Sequence, residues 1–166
     1  DYGFRESIAT NDQETIISAL NNHQSRINAD IAIFYSANQT NLIISGGVSS
    51  VDANTVVQRL IKDYSSENNH SDFEIFNGTP YQLVAVPIKA PLVIGWVVMG
   101  FKIDDILVKK LHKLSNLQVT FLQKSQNQTW HSTASSLSKQ HVDVLVKEVE
   151  QSYTPQFKKT EIELVD

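Results

Sequence analysis

The sequence predicts an α/β protein of the α+β type, with a five-stranded antiparallel sheet that carries helices on one face and is followed by the start of a second such unit. The first observation is a change between helical spacing and strand alternation, in the order strand, strand, helix, strand, strand, strand. The second is that this order begins again after residue 116. The two repeats are not visibly similar in sequence, so only the order of elements relates them.

The chain opens with helical sequence over about the first thirty residues, and Thr10 with Gln13 forms a plausible capping box. Over residues 30–36, successive apolar side chains are then placed alternately on two faces, as expected of a strand. A polar turn leads into a second short strand at residues 42–45. These two strands are expected to form a hairpin.

A helix is predicted next over residues 51–66, because apolar residues recur there at helical spacing. Ser50 or Asp52 is the expected N-cap, since short oxygen-bearing side chains satisfy the first free N–H groups of a helix. The polar residues 65–72 are predicted to be a loop.

Three strands complete the first unit, at residues 73–76, 81–88 and 92–101. The Asn77-Gly78 pair between the first two is typical of a tight hairpin turn. Pro87 lacks an N–H and therefore requires a strand edge or a bulge. Asp104 then caps a helix predicted at residues 104–115.

The second unit is predicted to contain strands at residues 118–122 and 129–134, a helix at residues 139–152 and a final strand at residues 161–165. The predicted domains are therefore 1–115, a complete unit with its connecting helix, and 116–166, a partial second unit.

Composition excludes several classes of protein. Of 166 residues, 41% are hydrophobic and 19% are charged, which is too apolar for a disordered chain. The net charge of −4, with scattered Lys and Arg, argues against nucleic acid as a partner. No apolar run approaches the roughly 20 residues that cross a membrane, and the absence of cysteine excludes disulfides.

The chain begins at Asp1 without a methionine and stops directly after strand-like sequence. We therefore expect a fragment of a longer protein, whose membrane anchor and output module lie outside these residues.

The predicted order of elements is shared by PAS-like sensor domains, GAF domains and the profilin and longin group, so it indicates a fold and not a function. The stretch Tyr81-Gln-Leu-Val-Ala-Val-Pro-Ile-Lys-Ala-Pro-Leu-Val-Ile-Gly-Trp-Val-Val-Met-Gly-Phe-Lys-Ile-Asp-Asp is more specific. It resembles the PAS-like double-Cache sensor domains of bacterial receptors that carry GGDEF or EAL output domains. The segments at residues 1–5 and 26–32 are also similar to that family, so the resemblance covers most of residues 1–122.

That resemblance implies an extracytoplasmic, periplasmic sensor in an inner-membrane protein, with a second PAS-like subdomain nearer the membrane. It implies a homodimer in the full receptor, membrane attachment only through flanking segments, and cyclic-di-GMP turnover as the output. The chain itself contains no GGDEF or EAL motif, so that chemistry cannot be assigned to its residues.

Candidate ligand-binding residues are the aromatic and basic side chains on or near the predicted sheet: Tyr35, Arg59, Tyr81, Lys89 and Trp96. Aromatic walls with one or two fixed charges suit a small ligand such as an amino acid, carboxylate or amine. A filled core, in which the same rings only pack, is the alternative.

No catalytic or cofactor site is expected. The five histidines lack metal-ligand spacing, and no nucleophile motif occurs. The adjacent Asp104 and Asp105 are expected to begin a helix and not to bind a cation.

Two other functions stay open. A dimerisation or protein-interaction module would need no pocket, and an intracellular longin-like or GAF-like module would need flanks without membrane spans. If the chain is a sensor, the helix from Asp104 is the expected carrier of the signal. The hypothesis at this point is that Ile103→Pro uncouples output and leaves ligand affinity largely intact.

Overall fold

The computed structural model describes residues 2–64, 71–125 and 127–152. Contacts divide the chain into two compact units, Asp1–Ile103 and Asp104–Asp166. By these contacts the helix that follows Asp104 belongs to the second unit. The functional division into 1–115 and 116–166 stays a prediction.

The first unit contains the predicted five-stranded sheet. Its elements in chain order are α1 (Tyr2–Thr10), α2 (Gln13–Ile27), β1 (Ile31–Ser36), β2 (Leu42–Ser45), α3 (Ser50–Tyr64), β3 (Ser71–Phe76), β4 (Thr79–Lys89) and β5 (Val93–Lys102). The strand order is β2-β1-β5-β4-β3, and each neighbouring pair is antiparallel. The α+β fold class and the PAS-like sheet are thereby confirmed.

Helices cover both faces of this sheet. Alternation along β1 directs Ile31, Ile33 and Tyr35 into a core with α3, which we call the α3 face. Ala32 and Phe34 point the other way, into a core with α1 and α2, which we call the α1–α2 face. The expectation of helices on one face is therefore wrong, because strand β1 is apolar and buried on both sides.

The N-terminal helical segment is broken in two. Asn11 adopts a left-handed conformation with φ of 56°, and Asp12 caps α2 by accepting a hydrogen bond of 3.2 Å from the N–H of Thr15. Thr10 instead donates its hydroxyl to the carbonyl of Glu6 at 3.0 Å. The predicted capping box at Thr10 is therefore wrong, since a Thr hydroxyl can return to the preceding turn of its own helix.

Helix α3 is capped one residue earlier than predicted. The hydroxyl of Ser49 accepts from the N–H of Asp52 at 3.1 Å and donates to the Asp52 carboxylate at 2.6 Å. Asp52 is thus the reciprocal partner of the cap and not the cap itself.

The β3–β4 hairpin follows its sequence signal. Asn77 and Gly78 both have positive φ, of 51° and 77°, as a two-residue turn matched to strand twist requires. Pro87 lies beyond the described pairing of β3 with β4 and beside a bulge against β5, which confirms the constraint expected of a strand proline.

The second unit contains α4 (Asp105–Ser115), β6 (Thr120–Lys124), β7 (Trp130–Ser135) and α5 (Lys139–Ser152). Strands β6 and β7 pair antiparallel. Asp104 caps α4 as predicted, accepting from the N–H of Leu107 at 3.0 Å. The predicted strand at 161–165 lies outside the described residues.

Candidate functional site

The α3 face brings together two of the predicted ligand-binding residues. Tyr35 on β1 lies directly opposite Trp96 on β5, and Pro87 of β4 lies opposite Trp96 on its other side. Cross-strand partners on one face have Cβ atoms about 4.5–5.5 Å apart. The two rings are therefore neighbours, although only 4% of Tyr35 and 7% of Trp96 is exposed.

The hydroxyl of Tyr35 reaches helix α3. It accepts a hydrogen bond of 3.2 Å from the side-chain amide of Gln58, and the same amide nitrogen lies 3.4 Å from the carbonyl oxygen of the Asn54 side chain. Gln58 is exposed. A side-chain hydrogen bond therefore connects the exposed surface of α3 to the hydroxyl of Tyr35.

Arg59, the next residue on α3, is paired with two carboxylates of β3. Its guanidinium lies 2.9 Å from Asp72 and also hydrogen-bonds Glu74. The hydrogen bond to Glu74 raises the pKa of Arg59 above its ordinary value. We call these three residues the Arg59 cluster.

The chemistry of the Arg59 cluster follows from its charge balance. One guanidinium faces two carboxylates, so the cluster keeps a net negative charge. A ligand carboxylate would have to compete with Asp72 and Glu74 for Arg59, whereas an ammonium group would find an acceptor there. The Arg59 side chain is 44% exposed, so its ion pairs contribute little to stability.

Tyr81 and Lys89 lie at opposite ends of β4. Tyr81 is half-buried, and its ring centroid is 5.8 Å from that of Phe76. Lys89 is exposed and opposite Val93. Eight residues of strand span about 27 Å, so one small ligand cannot contact both side chains.

The structure thus brings together Tyr35 and Trp96, pairs Arg59 of α3 with strand β3, and separates Tyr81 from Lys89. Gln58, Asp72 and Glu74 were not predicted from the sequence. Asp72 and Glu74 alternate with Phe73 and Ile75, a strand pattern that could have identified them.

Two cavities open on the other side of the sheet. One, of about 560 Å³, lies between α1 and α2, and the other, of about 490 Å³, lies beside the α1–α2 turn. None of the five predicted ligand-binding residues lines either cavity.

Among the histidines, His141 on α5 is hydrogen-bonded to the hydroxyl of Ser138 at 2.9 Å. In residues 2–64, 71–125 and 127–152, no three His, Cys, Asp or Glu side chains come close enough to hold a metal ion.

The antiparallel sheet between helices, followed by a second compact unit, defines a tandem sensory domain of PAS-like type. The chain matches over residues 1–164 the double-Cache family dCache_3, described as the double sensory domain of two-component sensor kinases. The chain belongs to this family and is a non-catalytic, extracytoplasmic sensory domain. The search of curated proteins gave no match. No helix in the part of the chain that the structure describes combines the length and apolarity of a membrane span.

Proposed function

We propose that the first unit binds a free amino acid, or a related amine or carboxylate, on the α3 face. The observation that carries this proposal is the Arg59 cluster, which joins helix α3 to strand β3 by ion pairs, while the neighbouring Gln58 of α3 hydrogen-bonds Tyr35. An amino acid carries both charges: its carboxylate would replace one of the two acids as a partner of Arg59, and its ammonium would pair with the acid released. Gln58, next to Arg59 on α3, would supply a hydrogen bond and link the bound molecule to Tyr35 and, through its ring, to Trp96. Tyr81 and Lys89 stay candidates at the margins.

Binding would bias the domain toward one of two conformations, which is the requirement for signalling. The domain would form the periplasmic part of an inner-membrane homodimer. The output proposed from residues 81–105 is cyclic-di-GMP turnover by a GGDEF or EAL domain outside this chain. The family description suggests a kinase output as the alternative. Cyclic-di-GMP measured in cells that carry the full receptor, with and without ligand, would decide between these outputs.

Calorimetric titration of the chain with the twenty amino acids and with simple amines and carboxylates tests the ligand. We expect Arg59→Met and Glu74→Gln each to weaken binding about tenfold, or 1.4 kcal/mol. Arg5→Met, an exposed arginine of α1, is the matched control and should leave affinity unchanged. If no compound binds, or if all three variants behave alike, the proposal is wrong.

A partner-binding role without a ligand is the second candidate. The burial of Tyr35 and Trp96 is also what core packing produces. In addition, Phe73, Ile75 and Val86 are 61%, 45% and 55% exposed on the same side of the sheet as α1 and α2. Adjacent exposed apolar residues favour a protein contact. Sedimentation equilibrium of Phe73→Ser against the unmodified chain measures whether this surface mediates dimerisation.

A further inference from the structure

The cavity of about 490 Å³ lies where three segments of the first unit meet. These are residues 8–16, from the end of α1 into the first turn of α2, residues 34–41, from the end of β1 into the following turn, and the start of β5. Its lining combines apolar side chains such as Ile8 and Ile94 with the polar groups of Ser36, Asn11, Asn38 and Asn41. A volume in this range is typical of small-molecule sites.

Ser36 contributes a buried donor to this cavity. Its side-chain oxygen accepts hydrogen bonds from the backbone N–H groups of Thr40 at 3.1 Å and Asn41 at 2.9 Å. The residue is only 6% exposed. A hydroxyl has one proton besides its two acceptor positions, and no acceptor for the Ser36 proton occurs among the described residues. The hydroxyl proton can therefore be donated to an acceptor inside the cavity.

The rim of the cavity is formed by three side-chain amides that are partly paired with one another. Asn41 donates to the carbonyl oxygen of Asn11, and the carbonyl oxygen of Asn38 accepts from Thr40. Within the described parts of the chain, the NH₂ groups of Asn11 and Asn38 and the carbonyl oxygen of Asn41 make no other hydrogen bond. The rim therefore offers donors and an acceptor in one small area.

No charged side chain is among the residues that line this cavity. A charged ligand would lose hydration without gaining an opposite charge, which is costly. A hydroxyl group, by contrast, both donates and accepts, as the mixture of Ser36 and amide groups requires. Ile8, Ile16 and Ile94 would contact the C–H surface of a ring or carbon chain.

We propose that this cavity binds a small, uncharged, hydroxyl-rich molecule, a monosaccharide or a polyol. The site is separate from the α3 face, so it does not depend on the amino-acid proposal. A ligand there would touch α1, the β1–β2 turn and β5 at once. It would therefore hold the end of α1 against the sheet, and its binding would favour the state in which these segments are together.

Protein-observed NMR of the ¹⁵N-labelled chain tests the site, with D-glucose, D-ribose and glycerol as probes and acetate and ethylamine as charged comparators. At probe concentrations of about 10 mM, which suit the millimolar affinities of such ligands, we expect saturable shifts confined to residues 8–11, 16, 34–41 and 93–94. The charged comparators should leave these signals unmoved.

Two variants locate binding. Ala9→Trp places a large ring on a lining residue of α1, and Asn38→Ala removes one rim amide. We expect the first to abolish the shifts and the second to weaken binding about tenfold. Thr10→Trp and Asn21→Ala, at exposed positions outside the lining, are matched controls that should bind normally. Ser36→Ala serves as a third variant once its folding is checked by the same spectra.

The proposal is overturned if none of the three neutral probes shifts the lining residues. It is also overturned if the shifts persist in Ala9→Trp, or if acetate or ethylamine produces the same shifts. Binding of amino acids to the α3 face would leave this result unaffected, so the two proposals fail independently.

Discussion

Tyr35 and Trp96 lie side by side across the β1–β5 pair, and the hydroxyl of Tyr35 is hydrogen-bonded to helix α3 through Gln58 at 3.2 Å. The two rings therefore form part of the core and at the same time approach the covering helix. A ligand on the α3 face would replace or extend this hydrogen bond.

The Tyr35–Gln58 hydrogen bond should contribute measurably to stability. We expect Tyr35→Phe to lower the free energy of unfolding by about 0.5–1.5 kcal/mol, because Tyr35 is buried and its hydroxyl makes a part-buried hydrogen bond. In a double-mutant cycle with Gln58→Met, the coupling should account for most of that loss. Urea denaturation gives the values, and Tyr2→Phe, at an 82% exposed position, is the control. Additive effects of the two changes would show that the hydrogen bond is not formed in solution.

Gly95 on β5 should not tolerate a side chain. A Cβ atom there would lie 2.7 Å from the ring of Phe34 and 3.0 Å from the backbone oxygen of Tyr35. We expect Gly95→Ala to cost about 1–3 kcal/mol of stability through overpacking. Gly47→Ala, where no atom lies within 4 Å, is the matched control. Urea unfolding followed by Trp96 fluorescence in a Trp130→Phe background reports on the first unit alone. Equal midpoints for the two glycine variants would contradict the packing.

Ile103→Pro is expected to destabilise the first unit, which corrects the hypothesis that it leaves ligand affinity intact. Ile103 is 4% exposed, and its N–H donates to the carbonyl of Pro80 at 2.9 Å. Proline removes this donor and the buried side chain, at a cost of about 3 kcal/mol or more. Thermal unfolding of the chain gives the effect, and a melting temperature within a degree of the unmodified protein would contradict it.

Asp104→Ala is therefore the better test of the junction. It removes the cap of α4, for which about 1 kcal/mol of helix stability is typical, and leaves Ile103 in place. We expect faster amide exchange at Leu107 and unchanged exchange in the sheet. Asp143→Ala, an exposed aspartate of α5, should alter neither.

The cap of α2 should depend on pH. Hydrogen bonds from the hydroxyl and N–H of Thr15 lower the pKa of Asp12 from its ordinary 3.8. Because the folded-state pKa is the lower one, the cap contributes its full stabilisation above pH 3.8 and loses it as pH falls through the folded value. Carbon-detected NMR of the Asp12 carboxyl, together with amide exchange at Thr15, follows this transition. Asp12→Asn keeps a capping oxygen and should abolish the pH dependence. A normal pKa for Asp12 would contradict the presence of these hydrogen bonds in solution.

The strands were predicted best where the apolar pattern and the turn residues in the sequence are clearest. The apolar runs of β4 and β5 and the Asn77-Gly78 turn determine their own local structure, so the sheet could be predicted. The cap at Asp12 was missed because Thr10, Asp12 and their neighbours compete locally, and only the break in the helix at Asn11 decides between them.

The candidate site was harder to predict. Arg59 was identified as a charge near the sheet, but its partners Asp72 and Glu74 depend on the register of β3 against β4 and on the rotation of α3. Such contacts between distant segments leave no local pattern. The polar cavity beside Ser36 was missed for the same reason, since its lining comes from three separate parts of the chain.

The alternation along β1 has a consequence for how such a receptor can evolve. Ile33 and Tyr35 belong to one core, and Ala32 and Phe34 to the other, so a single strand separates two sets of contacts. Substitutions at Ile33 or Tyr35 therefore change the core with α3, and the side chains of Ala32 and Phe34 keep their contacts under α1 and α2. Under the function proposed above, ligand recognition on the α3 face and the attachment of the N-terminal helices can diverge as independent traits within one small domain.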